Sequence, residues 1–268
     1  MKIDFTGKTA LVTGASAGIG REIARILARE VDKLILVARR RDRLEELAAE
    51  LGAARPGLHV IPRAVDLTDQ DATSALLDTL EVEGERVDVL INNAGLGNYA
   101  FFSESDWTKI EQMLQLNMVS ATYLLHRLVP GMVERGFGAI LNVGSSAGMV
   151  ATPQLVAYSA TKAYLNLLSE GLRAELAGTG VSVTVLCPGP VPTEFQGVAG
   201  ERKQPMPKLF RVEAARCAEE SIAALKAGQA RLIPGLPMRA AVVSLESVPR
   251  ALVRPALARM ASKLQGRG

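Results

Sequence analysis

The chain has 268 residues, 48% of them apolar and 22% charged, which is enough for one large core, since single α/β domains often reach roughly 250 residues. Its 31 basic and 28 acidic side chains are interspersed and leave a net charge of +3, so nothing argues for nucleic-acid binding as the main task. Cys187 and Cys217 are far apart, and neither they nor His59 and His126 have ligand spacing, which argues against a disulfide framework and a zinc site.

Taken in order, the apolar and partly β-branched run Thr9 to Thr13 reads as a strand buried on both faces. The turn Gly14-Ala15-Ser16-Ala17-Gly18-Ile19-Gly20 follows, then a helix from Arg21 to Glu30. A strand, a glycine turn and a helix in that order make an anion cradle, because the backbone is open to approach and the helix start offers unpaired N–H groups. The spacing is Gly-x-x-x-Gly-x-Gly, not the better-known Gly-x-Gly-x-x-Gly. Leu34 to Val37 predicts a second strand and Arg41 to Leu51 a charged helix. Further strands are expected at Val60–Val65, Val87–Ile91, Ala139–Val143, Val181–Leu186 and Arg231–Ile233, with helices at 69–80, 106–129, 155–177 and 212–227 between them. This alternation predicts a doubly wound parallel sheet of about seven strands, Rossmann-like, with helices on both faces. Ligands bind such sheets beyond the carboxyl ends of the strands, where the motifs fall. No secretory signal precedes the first strand and no apolar run approaches the ~18 residues of a membrane span, so a cytoplasmic location is expected.

Tyr158 and Lys162 are one helical turn apart and share a face. A phenol titrates near pH 10 in isolation, and a neighbouring ammonium favours its phenolate, bringing it into range as an acid-base group. Ser145 lies upstream at the end of the fifth strand.

With Asn92-Asn93-Ala94-Gly95, Asn117 and Pro188-Gly189-x-Val191-x-Thr193 these motifs stand in one order, and over about its first 195 residues the chain resembles a short-chain dehydrogenase/reductase of compact form. The resemblance implies that Tyr158 is the acid or base and that Lys162 binds the nicotinamide ribose and depresses the phenol pKa. It further implies that Ser145 holds the substrate oxygen and Asn117 a water in a proton relay. The cofactor would lie against Gly14, Ser16, Gly18, Ile19, Gly20, Asn93, Ala94, Gly95, Pro188, Gly189, Val191 and Thr193. Asp66 resembles the aspartate that accepts from the adenine amino group, and an Asp before a helix is also a common N-cap. The family's frequent pairing of its fourth and fifth helices implies a homodimer or homotetramer.

A carboxylate at the end of the second strand would favour NAD, but that position is Ala38, followed by Arg39-Arg40-Arg41. Arg39, with Ser16 near it, suits a 2′-phosphate, so NADP is expected, with Arg40 and Arg41 left as a solvated helix start. The substrate pocket is expected from Leu96–Phe101, Met149–Leu155 and the segment 193–211, which reads as a mobile lid or a plain surface excursion. Tyr99, Phe101, Met149, Val150, Leu155, Phe195 and Met206 would make it apolar, favouring a hydrophobic ketone, aldehyde or secondary alcohol. The expected activity is NADP-dependent hydride transfer; a non-catalytic NADP sensor and an epimerase or dehydratase are the alternatives. Residues 1–235 form the catalytic domain in this reading. The extension 236–268 is basic and amphipathic, either covering the cleft or a subunit interface or, less favoured, touching a membrane, and Pro249 and Pro255 should keep it from forming one long helix.

Overall fold

The structure, a computed structural model, describes residues 2–200 and 207–266. Seven strands, β1 (Thr9–Thr13), β2 (Lys33–Ala38), β3 (His59–Ala64), β4 (Val89–Asn92), β5 (Gly138–Val143), β6 (Val181–Leu186) and β7 (Arg231–Leu232), form one parallel sheet in the order β3-β2-β1-β4-β5-β6-β7. Between them run α1 (Gly18–Leu27), α2 (Arg41–Ala54), α3 (Gln70–Val82), α4 (Trp107–Leu114), α5 (Ala121–Glu134), α6 (Val156–Glu175), α7 (Glu194–Ala199) and α8 (Ala214–Lys226). Two further helices, α9 (Leu236–Glu246) and α10 (Arg250–Leu264), follow β7.

The lack of polar alternation in the strands has a direct cause. Ala10, Val12, Leu34 and Leu36 face a core shared with α1, α2 and α8, while Leu11, Ile35 and Val37 face a second core with α3 and α5. The central strands are covered on both sides, so their middle positions are apolar on either face, while the edge strands β3 and β7 are only partly buried and carry His59, Arg63 and Arg231. The strand order reverses between β1 and β4, and a crevice opens at their carboxyl ends.

Three expectations need correction. The predicted helix 106–129 runs on to Glu134 and is interrupted at Gln115–Ser120 by a π-helical segment, in which Asn117 lies. Such a wider turn is common at functional sites and has no periodicity signature. In the C-terminal region no single long helix forms, the break falling between α9 and α10 at Pro249, but Pro255 does not interrupt α10, because its exposed surroundings let water reach the carbonyl that loses its N–H partner. The N-cap of α3 is Asp69, accepting from the Asp71 and Ala72 N–H groups, and not Asp66. Asp66 instead closes a local turn, accepting from the Thr68 N–H at 3.0 Å and its hydroxyl at 2.8 Å.

Candidate active site

The crevice begins with Thr13. Its hydroxyl donates to the Ile91 carbonyl and accepts from both the Asn93 and Ala94 N–H groups at 2.9 Å, tying the end of β1 to the end of β4. The Asn93 amide donates to the Thr13 carbonyl at 2.8 Å. Gly14 (φ +66°) and Gly18 (φ +56°) take left-handed backbone that favours glycine. A Cβ on Gly20 would come within 2.5 Å of the Gly14 carbonyl oxygen, so this glycine closes the turn from behind. The N-cap of α1, Ala17, has no side-chain acceptor, which leaves the helix start free for an anion.

Ser145 follows β5 and caps a short 3₁₀ turn, its hydroxyl accepting from the Ala147 N–H at 3.1 Å. On α6, Lys162 is 3% exposed and donates to the Val143 carbonyl at 2.8 Å. Burial lowers its pKa to about 8. Tyr158 opens onto the same cleft, with the Lys162 ammonium 5.9 Å from its ring centroid. Burial raises the phenol above its ordinary range and a hydrogen bond with Ser145 pulls it down. The expected lowering by Lys162 therefore does not govern this phenol: the ammonium is itself desolvated and committed to Val143.

The cleft, about 300 Å³, is lined by Gly14, Gly18, Ile19, Arg39, Asn93, Ala94, Gly95, Ser145, Tyr158, Lys162, Pro188, Gly189, Val191 and Thr193, all expected there. Ser16, Gly20, Asp66 and Asn117 do not line it. Asn117 accepts from the Leu96 N–H at 2.9 Å and donates to the Leu96 carbonyl at 2.8 Å and to Thr161 at 3.0 Å, so its amide braces the wall. Thr193 caps α7, accepting from the Phe195 N–H at 3.3 Å.

Arg40, set aside in the sequence reading, lines the cleft beside Arg39. It donates to Ser16 at 3.1 Å and pairs with Glu194 at 2.7 Å, whereas Arg39 stands 3.9 Å from Asp66. Arg41 stays at the solvated helix start, 3.9 Å from Glu45. No local pattern announces the Arg40–Glu194 contact, since it joins segments far apart in sequence. Asn166, one turn beyond Lys162, was also missed; it donates to the Ser145 carbonyl at 3.2 Å and holds that loop on α6. Cys187 is buried beside it with its thiol pushed up to about 12 by desolvation, which makes it an inert filler.

The expected substrate pocket is divided. Leu96, Tyr99, Leu155, Phe195 and Val198 line the cleft, and the Phe195 ring lies 5.7 Å from that of Tyr158. Phe101, Met149 and Val150 face a separate groove towards α10. Met206 lies outside the described residues, as do the other positions of 201–206 in the expected lid.

The donor set fits a phosphorylated dinucleotide: two glycines in left-handed backbone, an uncapped helix start, two arginines at the end of β2, and a buried lysine beside a tyrosine and a serine. Comparison with known proteins agrees. Residues 8–204 match the family model for short chain dehydrogenases. The chain is 38% identical over 205 residues to the ketoacyl reductase HetN of Nostoc, covering 76% of this chain and 70% of that protein. A short-chain dehydrogenase from Sphingobium yanoikuyae solved in complex with NADPH is 32% identical with a TM-score of 0.81, covering 92% of this chain and 95% of that one. One from Burkholderia phymatum in complex with NAD is 26% identical with a TM-score of 0.80, covering 95% and 96%. On this fold, this motif set and these matches, the chain is a member of the short-chain dehydrogenase/reductase family of oxidoreductases.

Proposed function

We propose that the protein is an NADP-dependent reductase of a carbonyl group on an apolar small molecule, or the dehydrogenase of the corresponding secondary alcohol. The observation that carries this reading is the meeting of Ser145, Tyr158 and Lys162 on one cleft whose other end holds Arg39 and Arg40. When bound, the nicotinamide supplies the hydride. The Ser145 hydroxyl holds the substrate oxygen, and Tyr158, kept protonated by burial, donates its proton to that oxygen as charge develops. Lys162 holds the ribose. Arg39 and Arg40 meet the 2′-phosphate, with the Arg40–Glu194 pair exchanged for that contact. Asn117 positions the Leu96 loop and the relay beside Lys162; a Cβ at Gly95 would lie 3.3 Å from both side chains.

The apolar wall of Leu96, Tyr99, Leu155, Phe195 and Val198 supports a hydrophobic substrate, and the Phe195 ring beside that of Tyr158 supports α7 as the part of the expected lid that closes on it. Exposed Val119, Val133 and Leu167 on the π segment, α5 and α6 support a homo-oligomer. No helix among the described residues is long and apolar enough to cross a membrane. A panel of ketones and aldehydes followed by NADPH absorbance tests the reading. Tyr158→Phe should lose turnover and retain NADPH binding; comparable activity in that variant refutes the mechanism.

A further inference from the structure

The groove holding Phe101, Met149 and Val150 encloses about 1140 Å³ between α10 and the reverse face of the catalytic helix α6, and it adjoins the cleft at Ala147. Its α10 wall carries two ladders, Arg250-Arg254-Ala258 and Val253-Leu257-Ala261, spaced four residues apart. Opposite stand Val156, Ser159, Ala160 and Ala163 of α6, the face turned away from Tyr158 and Lys162. Along α10 from Arg250 to Ala261 the wall is roughly 16 Å long.

Two features of this groove are unfavourable without a ligand. Arg250 and Arg254 occupy the first turns of α10, where the helix dipole is positive and carboxylates are normally found. The first turn holds no acid, and among the described residues neither arginine makes an ion pair. The one acid on the groove, Glu246, is held by both terminal nitrogens of Arg231, at 3.1 and 3.2 Å. Independently, Ser159 is 6% exposed and its hydroxyl has no hydrogen-bond partner among the described residues. A long apolar channel, two unpaired guanidinium groups and an orphaned hydroxyl have one chemistry in common.

We infer that this groove binds a single-chain anionic amphiphile, its carboxylate on Arg250 and Arg254 and its hydrocarbon along Val253, Leu257, Val156 and Met149. This deepens the carbonyl-reductase reading and rests on it for the chemistry: the substrate is an oxo fatty acid whose carbonyl enters the cleft while its remote carboxylate stays on α10.

Two measurements on the full-length protein separate the parts. The fluorescence of cis-parinarate reports binding without turnover. It should be competed by decanoate at least tenfold better than by decanol, and Arg250→Ala/Arg254→Ala should weaken it roughly tenfold or more. Ala261→Phe, which fills the groove, should abolish it, and Arg259→Ala, outside the groove, should leave it unchanged. For catalysis, the ratio of kcat/KM for a mid-chain oxo fatty acid to that for its methyl ester should fall roughly tenfold in the double arginine variant. Parinarate binding indifferent to both groove variants overturns the inference, as does loss of binding in Arg259→Ala. So does sedimentation with phosphatidylglycerol vesicles that the double arginine variant weakens while parinarate binding is unaffected, which would make α10 a bilayer surface. Intact, arginine-dependent parinarate binding with no NADPH oxidation on any carbonyl would uphold the groove and refute the reductase reading.

Discussion

Removal of Arg40 and removal of Glu194 should move cofactor preference in opposite directions. Arg40 is held between Ser16 at 3.1 Å and Glu194 at 2.7 Å, on the lip of the cleft. A charge-assisted contact to a phosphate is worth ~1.5–3 kcal/mol. The exposed Arg40–Glu194 pair that must open first is worth ~0.2–1 kcal/mol. The difference, about 0.5–2.8 kcal/mol, gives Arg40→Ala a roughly twofold to hundredfold loss in the ratio of kcat/KM for NADPH to that for NADH. Glu194→Gln frees Arg40 and removes a negative charge from the phosphate's neighbourhood, so the same ratio should rise, up to roughly fivefold. Arg39→Ala, whose side chain is 3.9 Å from Asp66 and holds no close partner at the glycine turn, should also lower it. Steady-state kinetics with both cofactors and one ketone suffice. If the ratio is unchanged in Arg39→Ala and Arg40→Ala, or if Glu194→Gln and Arg40→Ala shift it the same way, the assignment of this arginine pair to a 2′-phosphate is wrong.

In the cofactor-free protein, carbon-13 NMR of labelled lysine should show Lys162 titrating near 8 against an ordinary value of 10.5; a resonance still charged above pH 10 contradicts the burial argument. The sign for stability follows. Below 8 both folded and unfolded states carry the proton and the desolvation cost is in full force, so urea stability should rise between about 8 and 10 and Lys162→Met should flatten that rise. Asn117→Ala leaves the Leu96 N–H and carbonyl without their partners and should lower urea stability by about 2–4 kcal/mol; a loss of activity with stability unchanged would instead favour a direct catalytic part. Gly20→Ala drives a methyl towards the Gly14 carbonyl and should cost about 1–3 kcal/mol, whereas Gly197→Ala, inside α7 with nothing within 4 Å, should not lower the same thermal melt and should raise stability by up to about 1 kcal/mol.

The sheet was legible because its strands are apolar on both faces and its motifs sit at strand ends; Val181–Leu186 is a strand in both readings for that reason. Ser145, Tyr158 and Lys162 were legible because a strand end and one helical turn bring them together locally. What was hidden depends on contacts between distant segments. The sequence cannot show that Arg40 faces Ser16 and Glu194, or that α10 diverts Phe101 and Met149 from the cleft into a groove of their own. The π-helical segment was hidden for a different reason: one added residue per turn changes where Asn117 points without changing composition.

The hydroxyl of Thr13, with the Asn93 side-chain amide on the Thr13 carbonyl, spaces the two strand ends where the nucleotide would lie. With both amide hydrogens of Asn93 and Ala94 resting on one oxygen, the glycine turn and the Asn93–Gly95 loop act as the jaws of a calliper with a fixed gap. Neither jaw can open alone, so slow amide exchange at Ala94 would report on the gauge of the whole nucleotide seat, and breathing of that seat would take both strands with it.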